Sequence, residues 1–228
     1  MRVRGGAQRI PRPADATPGG PPPWGAVPES GRAVDLDEVC DRVAARGSGN
    51  LVVRPVAGAR PSAVLVAMYE DEAADGAPTI VLTRRPWHIR THAGEVCFPG
   101  GRAEEIDGGP VDTALREADE EISLEPSLVE VVGELDHLAT VSSGAEIVPV
   151  VARLTRPPRL EADRTEVDAI LRVPMAELLL DEVWREERWC FGGVERDMAF
   201  FELVGDTVWG ATARMLRQLL AIATGVEE

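Results

Sequence analysis

Cysteine is scarce in this chain of 228 residues: there are three, Cys40, Cys97 and Cys190. Odd in number and far apart, they match no zinc-ligand spacing and no disulfide framework, which fits a reducing compartment. Long hydrophobic runs are missing too, since no stretch approaches the ~18 apolar residues of a membrane span. The N-terminus carries arginines without a continuous apolar segment, so no secretory signal is expected and the expected location is cytoplasmic. Positive charge is short as well: 24 basic residues, every one an arginine, stand against 39 acids for a formal charge of −15. That balance argues against a nucleic-acid backbone or an anionic membrane as partner, because both need a basic surface. A small anionic substrate stays compatible with it, because a bound divalent metal inverts the local field. The sequence is compatible with a homodimer and does not specify one.

What is present is a globular composition, 44% hydrophobic, enough for one packed domain and a tail. Residues 1–34 are rich in Pro and Gly and show no periodicity, so they read as a disordered or loosely docked extension, in which Trp24 is expected to pack on the domain. Residues 35–228 then form the domain. "DLDEVCDRVAARG" is expected to be a helix with Asp35 or Asp37 as N-cap and Gly47 at its end. "SAVLVAMY" (62–69), "TIVLTR" (79–84) and "EVCFP" (95–99) read as strands, the last stopped by Pro99 and a diglycine loop, Gly100-Gly101. Pro110 opens a helix through about Ile122. "LVEVVGELD" and "EIVPVVARL" are further strands, "VPMAELLLD" a short helix, and residues 188–203 a hairpin turning at Gly192-Gly193. Asp206 is expected to cap a last helix over 207–224, with Trp209 and Met215 on its core face and Gly225 ending it. Strands and helices in irregular order indicate an α+β fold with helices over a mixed sheet.

The segment "LREADEE" (115–121) carries the chemistry. At about 100° per residue, Glu117, Glu120 and Glu121 share one face, Val111, Leu115, Ala118 and Ile122 form the buried stripe, and Asp119 falls on its far flank. Like charges at i,i+4 cost only a few tenths of a kcal/mol, and Arg116 can offset as much by pairing with Glu120, so energetics alone allows a solvated face. The diglycine about fifteen residues earlier changes the balance: glycine lets backbone approach a ligand closely. Three carboxylates and a carbonyl are hard oxygen donors suited to Mg²⁺ or Mn²⁺. Such ions polarise phosphorus and lower the pKa of an attacking water, which points to hydrolysis of a phosphoanhydride.

"GGRAEEIDGGPVDTALREADEEISL" resembles the signature of the Nudix hydrolases, matching at Gly101, Arg116, Glu117, Ala118, Glu120, Glu121 and Leu124. Asp107 stands in place of the signature's first glutamate, one extra residue separates it from Arg116, and Ser123 takes the place of a glycine. These departures, and the upstream run "VLTRRPWHIRTHAGEVCFPGG", are similar to the coenzyme A pyrophosphatase subgroup, with Leu82, Thr83, Arg85, His92, Gly94, Val96, Phe98, Pro99, Gly100 and Gly101 in register and Pro86 in place of a serine. The resemblance spans about residues 50–222. It implies an α/β/α sandwich with a mixed sheet and a strand–loop–helix–loop catalytic unit. It further implies Glu117, Glu120 and Glu121 as metal ligands assisted by a carbonyl near Gly100, and Arg116 orienting the glutamates. The implied substrate is coenzyme A or its thioesters, cleaved to 3′,5′-ADP and (acyl-)4′-phosphopantetheine; ADP-ribose or NADH is the alternative, and a non-catalytic nucleotide-binding regulator the rival of another class.

On that reading Glu117 or Glu120 is the general base, and Asp107 and Glu104 are either ligands of a second metal or solvated loop acids. Arg84, Arg85 and Arg90 are candidates for substrate phosphates through bidentate contacts, with surface ion pairs as the alternative. His92 contacts substrate or satisfies a loop backbone, with Gly100 and Gly101 beside it on the substrate side. His88 and His137 read as structural or surface groups, Cys97 as buried, and Glu146, after "SSG", as a loop acid near the site.

Overall fold

In a computed structural model of the chain, residues 3–47, 49–50, 58–140 and 144–226 are described. The elements are β1 (Gly5–Gly6), β2 (Thr17–Pro18), α1 (Leu36–Arg46), β3 (Arg60–Asp71), β4 (Ala77–Arg84), β5 (Val96–Cys97), β6 (Gly100–Arg102), α2 (Pro110–Ile122), β7 (Val129–Glu134), β8 (Leu138–Ala139), β9 (Ala145–Leu154), β10 (Ala169–Pro174), α3 (Met175–Leu178), β11 (Trp184–Phe191), β12 (Val194–Glu202), β13 (Val204–Gly205), β14 (Thr207–Trp209) and α4 (Gly210–Ala223). A central mixed sheet runs β10-β4-β3-β9-β7, with β5 on β4, β6 on β3 and β8 on β9. Within this sheet, among the described residues, only β3 and β9 pair in parallel, from Arg60↔Ala145 to Met68↔Arg153.

The sheet is covered on both faces because its strands are apolar on both. On β3, Ala63, Leu65, Ala67 and Tyr69 face α2 with its Ala114, Ala118 and Ile122. Val66 and Met68, one residue out of phase, face α1 and α4, as the period of two requires. Each fully buried aliphatic side chain stabilises the fold by roughly 1.5–3 kcal/mol. The α/β/α sandwich expected from the sequence is therefore present. A second sheet, β14-β12-β11-β2, closes the α4 side, where Phe201 and Val208 join the same core.

Several expectations are corrected. The extension is not loose. It pairs with the domain through β1 on β13 and β2 on β11, and Trp24 is fully buried against Trp184 and Phe201. Its prolines and glycines suppress periodicity without preventing docking, because edge pairing and one large aromatic supply the anchorage. Residues 207–209 form a strand opposite Phe200–Glu202, so α4 starts at Gly210 and Asp206 caps nothing. Asp206 is instead buried, with Arg84 and Gln8 as partners. Trp209 therefore belongs to the second sheet, near Trp189. Gly100 and Gly101 are not a loop, since they pair with Val64 and Ala63 as β6. Asp35 does cap α1, accepting from the Glu38 amide, and Pro110 opens α2. Among the described residues no helix is long and apolar enough to cross a membrane.

Helix α2 ends at Ser123 in the left-handed conformation (φ 53°, ψ 38°), its amide returning to the Asp119 carbonyl at 2.8 Å. A Cβ costs energy there. Ser123→Gly is expected to stabilise the protein by about 0.5–1 kcal/mol, a rise in melting temperature of roughly 1–4 °C; calorimetry checks it.

Candidate active site

The acids of α2 are arranged by one guanidinium. Ahead of the helix the chain folds back so that Asp107 accepts from the Glu104 amide (2.9 Å) and the Thr113 hydroxyl (2.9 Å). Both Asp107 oxygens then receive Arg116, Nε at 3.0 Å and Nη2 at 3.1 Å. Arg116 also donates to Glu117 Oε1 (3.1 Å), Glu120 Oε2 (2.9 Å) and the Arg102 carbonyl (3.0 Å). The Arg116 contacts, the Glu104 amide and Thr113 hold the Asp107 carboxyl well below the usual carboxylate range, and Arg116 is in turn held more firmly protonated. Asp107 is thus committed to fixing Arg116. Its loop is shaped by that pairing.

Glu117 and Glu121, one turn apart, come against the β6 strand. At Gly101 an added Cβ would lie 2.5 Å from the Glu117 carboxylate, so the missing side chain is the space the carboxylate fills. Gly100 has φ +150°, and a Cβ there would meet the Ala63 carbonyl oxygen at 2.4 Å; only glycine fits. The Gly100 amide donates to Glu121 Oε2 at 3.2 Å. Glu121 is 4% exposed, and burial pushes its carboxyl up to about 8, the Gly100 N–H opposing the rise and the charge on Glu117 adding to it. Burial also raises Glu117, against the pull of Arg116. Glu120 stands apart, its side chain 59% exposed and paired with Arg116.

Among the described residues no group of three His, Cys, Asp or Glu side chains converges closely enough to enclose a metal ion. The donor chemistry of the pair nevertheless fits a hard divalent cation. Two carboxylates lie together in partly desolvated ground, each raised by the other's negative charge or by that of further acids. A bound cation would relieve that repulsion, and oxygen donors suit Mg²⁺ or Mn²⁺.

The other candidates separate. Arg84 is ion-paired with Asp168 (2.8 Å) and Asp206 (2.9 Å), the arrangement of the ion-pair alternative. Arg85 turns the other way: its charge bears on Glu121, and its Nε is buried with no acceptor among the described residues. His92 adopts φ 58°, and its Nδ1 lies 2.8 Å from Glu95 Oε2, a local contact within the loop. His137 pairs with Glu134 in the same way. Glu146 lies in β9 opposite Pro61 and Ala139, outside any loop; residues 141–143 are outside the described residues. Beneath the glutamates, Cys97 Sγ lies 3.3 Å from Thr83 Oγ1, and burial pushes the thiol up to about 11, so it stays protonated at neutral pH.

Sequence reasoning missed Glu166, whose charge raises both Glu117 and Glu121. Its segment is tied to α2 by the Asp163 amide on the Glu121 carbonyl (2.9 Å) and to β4 by the Asp168 amide on the Arg84 carbonyl (2.8 Å). More than forty positions separate Glu166 from α2, and no local pattern marks it.

A profile of the NUDIX domain matches residues 59–191. The chain is similar to a protein of Pectobacterium atrosepticum named uncharacterized Nudix hydrolase NudL, 36% identical over 172 residues, covering 73% of this chain and 84% of that one. It is 38% identical over 154 residues to the like-named protein of Escherichia coli K12, 66% of this chain and 77% of that one. It is also 38% identical to chloroplastic Nudix hydrolase 22 of Arabidopsis thaliana, over 69% of this chain and 53% of that protein. Among solved structures, a MutT/nudix family protein from Enterococcus faecalis is similar over 81% of this chain and 68% of that chain, at 13% identity and a TM-score of 0.43.

A carboxyl raised to about 8 by burial binds its proton more tightly folded than unfolded, so its stabilising share is full below about pH 4.5 and is lost as pH rises through about 8. In metal-free protein, Glu121→Gln is therefore expected to raise the melting temperature at pH 8–9 and to change little at pH 4.5. Added Mg²⁺ or Mn²⁺ is expected to stabilise wild type and not the variant. Scanning fluorimetry across pH, with and without metal, reads both effects; equal metal gains in the two proteins would remove Glu121 from the ligand set.

Proposed function

The chain belongs to the NUDIX domain family and is a Nudix hydrolase, and from that premise we propose that it hydrolyses the pyrophosphate bond of coenzyme A or its thioesters with Mg²⁺ or Mn²⁺. The observation that carries this reading is the pair of Glu117 and the buried Glu121, with the charge of Arg85 acting on Glu121 and the Arg85 Nε buried with no acceptor among the described residues, a cation site next to an anion site. The choice of coenzyme A is supported by the run from Leu82 to Gly101, where Arg85 and His92 fall in the register of the coenzyme A pyrophosphatases.

In this reading Glu117 and Glu121 hold the cation, with Glu120 nearer the solvent edge. The cation, when bound, polarises the phosphoanhydride and makes a water more acidic. Arg116 keeps the Glu117 carboxylate aimed at the site, and the Gly100 amide does the same for Glu121. Arg85 neutralises a substrate phosphate through its guanidinium, a charge-assisted contact that its orphaned Nε lacks otherwise. The water oxygen attacks phosphorus, its proton passes to Glu117 or Glu120, and the anhydride P–O bond breaks to leave two phosphomonoesters. For coenzyme A these are 3′,5′-ADP and 4′-phosphopantetheine.

Product analysis of coenzyme A incubated with the protein and Mg²⁺ or Mn²⁺ tests this. Appearance of 3′,5′-ADP, reduced by at least about 10²-fold in kcat by Glu117→Gln, is the expected result. Turnover of ADP-ribose with silence toward coenzyme A would discard the substrate and keep the reaction. Silence toward both would favour a nucleotide-binding regulator.

A further inference from the structure

Both walls beside the glutamates are held by a polar network that begins at a buried glutamine in the N-terminal extension and ends at partly exposed ion pairs. Gln8, 8% exposed, donates through Nε2 to the Gly94 carbonyl (3.0 Å) and to Asp206 Oδ1 (2.7 Å), and its Oε1 accepts from the Thr207 amide (2.9 Å). Every hydrogen-bonding direction of the side-chain amide used here ends on a fixed group. Asp206 passes the restraint on: Arg84 Nη1 donates to its Oδ2 at 2.9 Å, and Arg84 Nε reaches Asp168 Oδ2 at 2.9 Å.

The two ends of this network are the two walls. Gly94 belongs to the segment between β4 and β5, closed by the Arg85 amide on the Glu95 carbonyl (2.9 Å), and that segment carries Arg85. Asp168 closes the segment carrying Glu166, its amide on the Arg84 carbonyl. Arg85 and Glu166 are groups outside α2 whose charges act on Glu121. One buried glutamine, about eighty residues from either wall or more, thus fixes the frame of both.

We propose that Gln8 is a positioning residue for substrate binding: through the Gly94 carbonyl and the Asp206–Arg84–Asp168 ion pairs it sets where Arg85 stands relative to the glutamate pair. The inference rests on Arg85 meeting a substrate phosphate, as in the proposed function. The seat of Gln8 is tight. A Cβ at Gly6 would lie 2.0 Å from Gln8 Oε1 and 2.6 Å from Asp206 Cα, so Gly6→Ala displaces the same side chain by a different route. Arg12 offers a control in the same extension: it pairs with Glu187 of the second sheet, away from the network.

The test is steady-state kinetics of the full chain with Mg²⁺ on whichever of coenzyme A or ADP-ribose wild type turns over, joined to amide hydrogen exchange. Gln8→Met keeps length and packing while removing the hydrogen bonds. It and Gly6→Ala are expected to raise KM by about tenfold with kcat within about twofold, while Arg12→Ala leaves both unchanged. A merely structural role would lower kcat through loss of folded protein and leave KM alone, and that outcome overturns the proposal. Exchange at the Arg85 and Asp168 amides is expected to quicken in Gln8→Met by about tenfold relative to wild type, with α2 amides unmoved. If wild type turns over neither substrate, the substrate reading fails separately and exchange decides: unchanged protection at Arg85 and Asp168 overturns the positioning role.

Discussion

Three carboxylates share the guanidinium of Arg116, and the rest of the site depends on that sharing. Asp107 takes it by a two-point contact, while Glu117 and Glu120 take single bonds from its remaining donors. The planar fork of arginine permits this geometry, and a lysine ammonium could not reproduce it. Because Asp107 is nearly buried and satisfied on both oxygens, Arg116 has a fixed root. Glu117 therefore points to the β6 strand and not into solvent. Glu121 needs no such partner, since the Gly100 amide and the surrounding core fix it. The helix thereby keeps one carboxylate oriented by charge and another by burial.

This division explains why the acidic run is tolerated. Glu121 is the costly group: it is buried, next to Glu117, and offered one amide and the charge of Arg85. A divalent cation, the species proposed to bind there, would lower the cost of such a group by offsetting its negative charge. Glu120 is the inexpensive group, exposed and paired at i,i+4, where the gain is a few tenths of a kcal/mol.

The helical period located the glutamates and the core stripe of α2, and the period of two located β3 and β4, because both depend on neighbours in sequence. The same reasoning put Glu117, Glu120 and Glu121 on one equal face. It could not show that the buried arc extends to Glu121, since that depends on how closely the glycines of β6 let the helix approach. The last strand was hidden for a similar reason: residues 207–209 read as the first turn of α4, and only pairing with Phe200–Glu202 draws them into a sheet. Arg84 and Arg85 are adjacent and chemically identical, and they point to opposite faces of the chain. One is ion-paired with Asp168 and Asp206, while the charge of the other acts on Glu121. Their partners lie more than thirty positions away, so no local pattern distinguishes them.

The extension illustrates the limit most clearly. Its composition resembles a disordered tail because prolines and glycines carry no periodic signal. Docking needs no periodicity, however. It needs a large aromatic for a cavity, here Trp24 against Trp184 and Phe201; an edge to pair with, here β13 and β11; and a few polar groups with matched partners. Glycine has a positive function in this setting, because Gly6 has room only for a hydrogen where Gln8 and Asp206 close in. Once seated, such a segment is held by contacts that disappear together if any part lifts. Its buried amide therefore transmits position to the walls of the site more rigidly than its composition suggests.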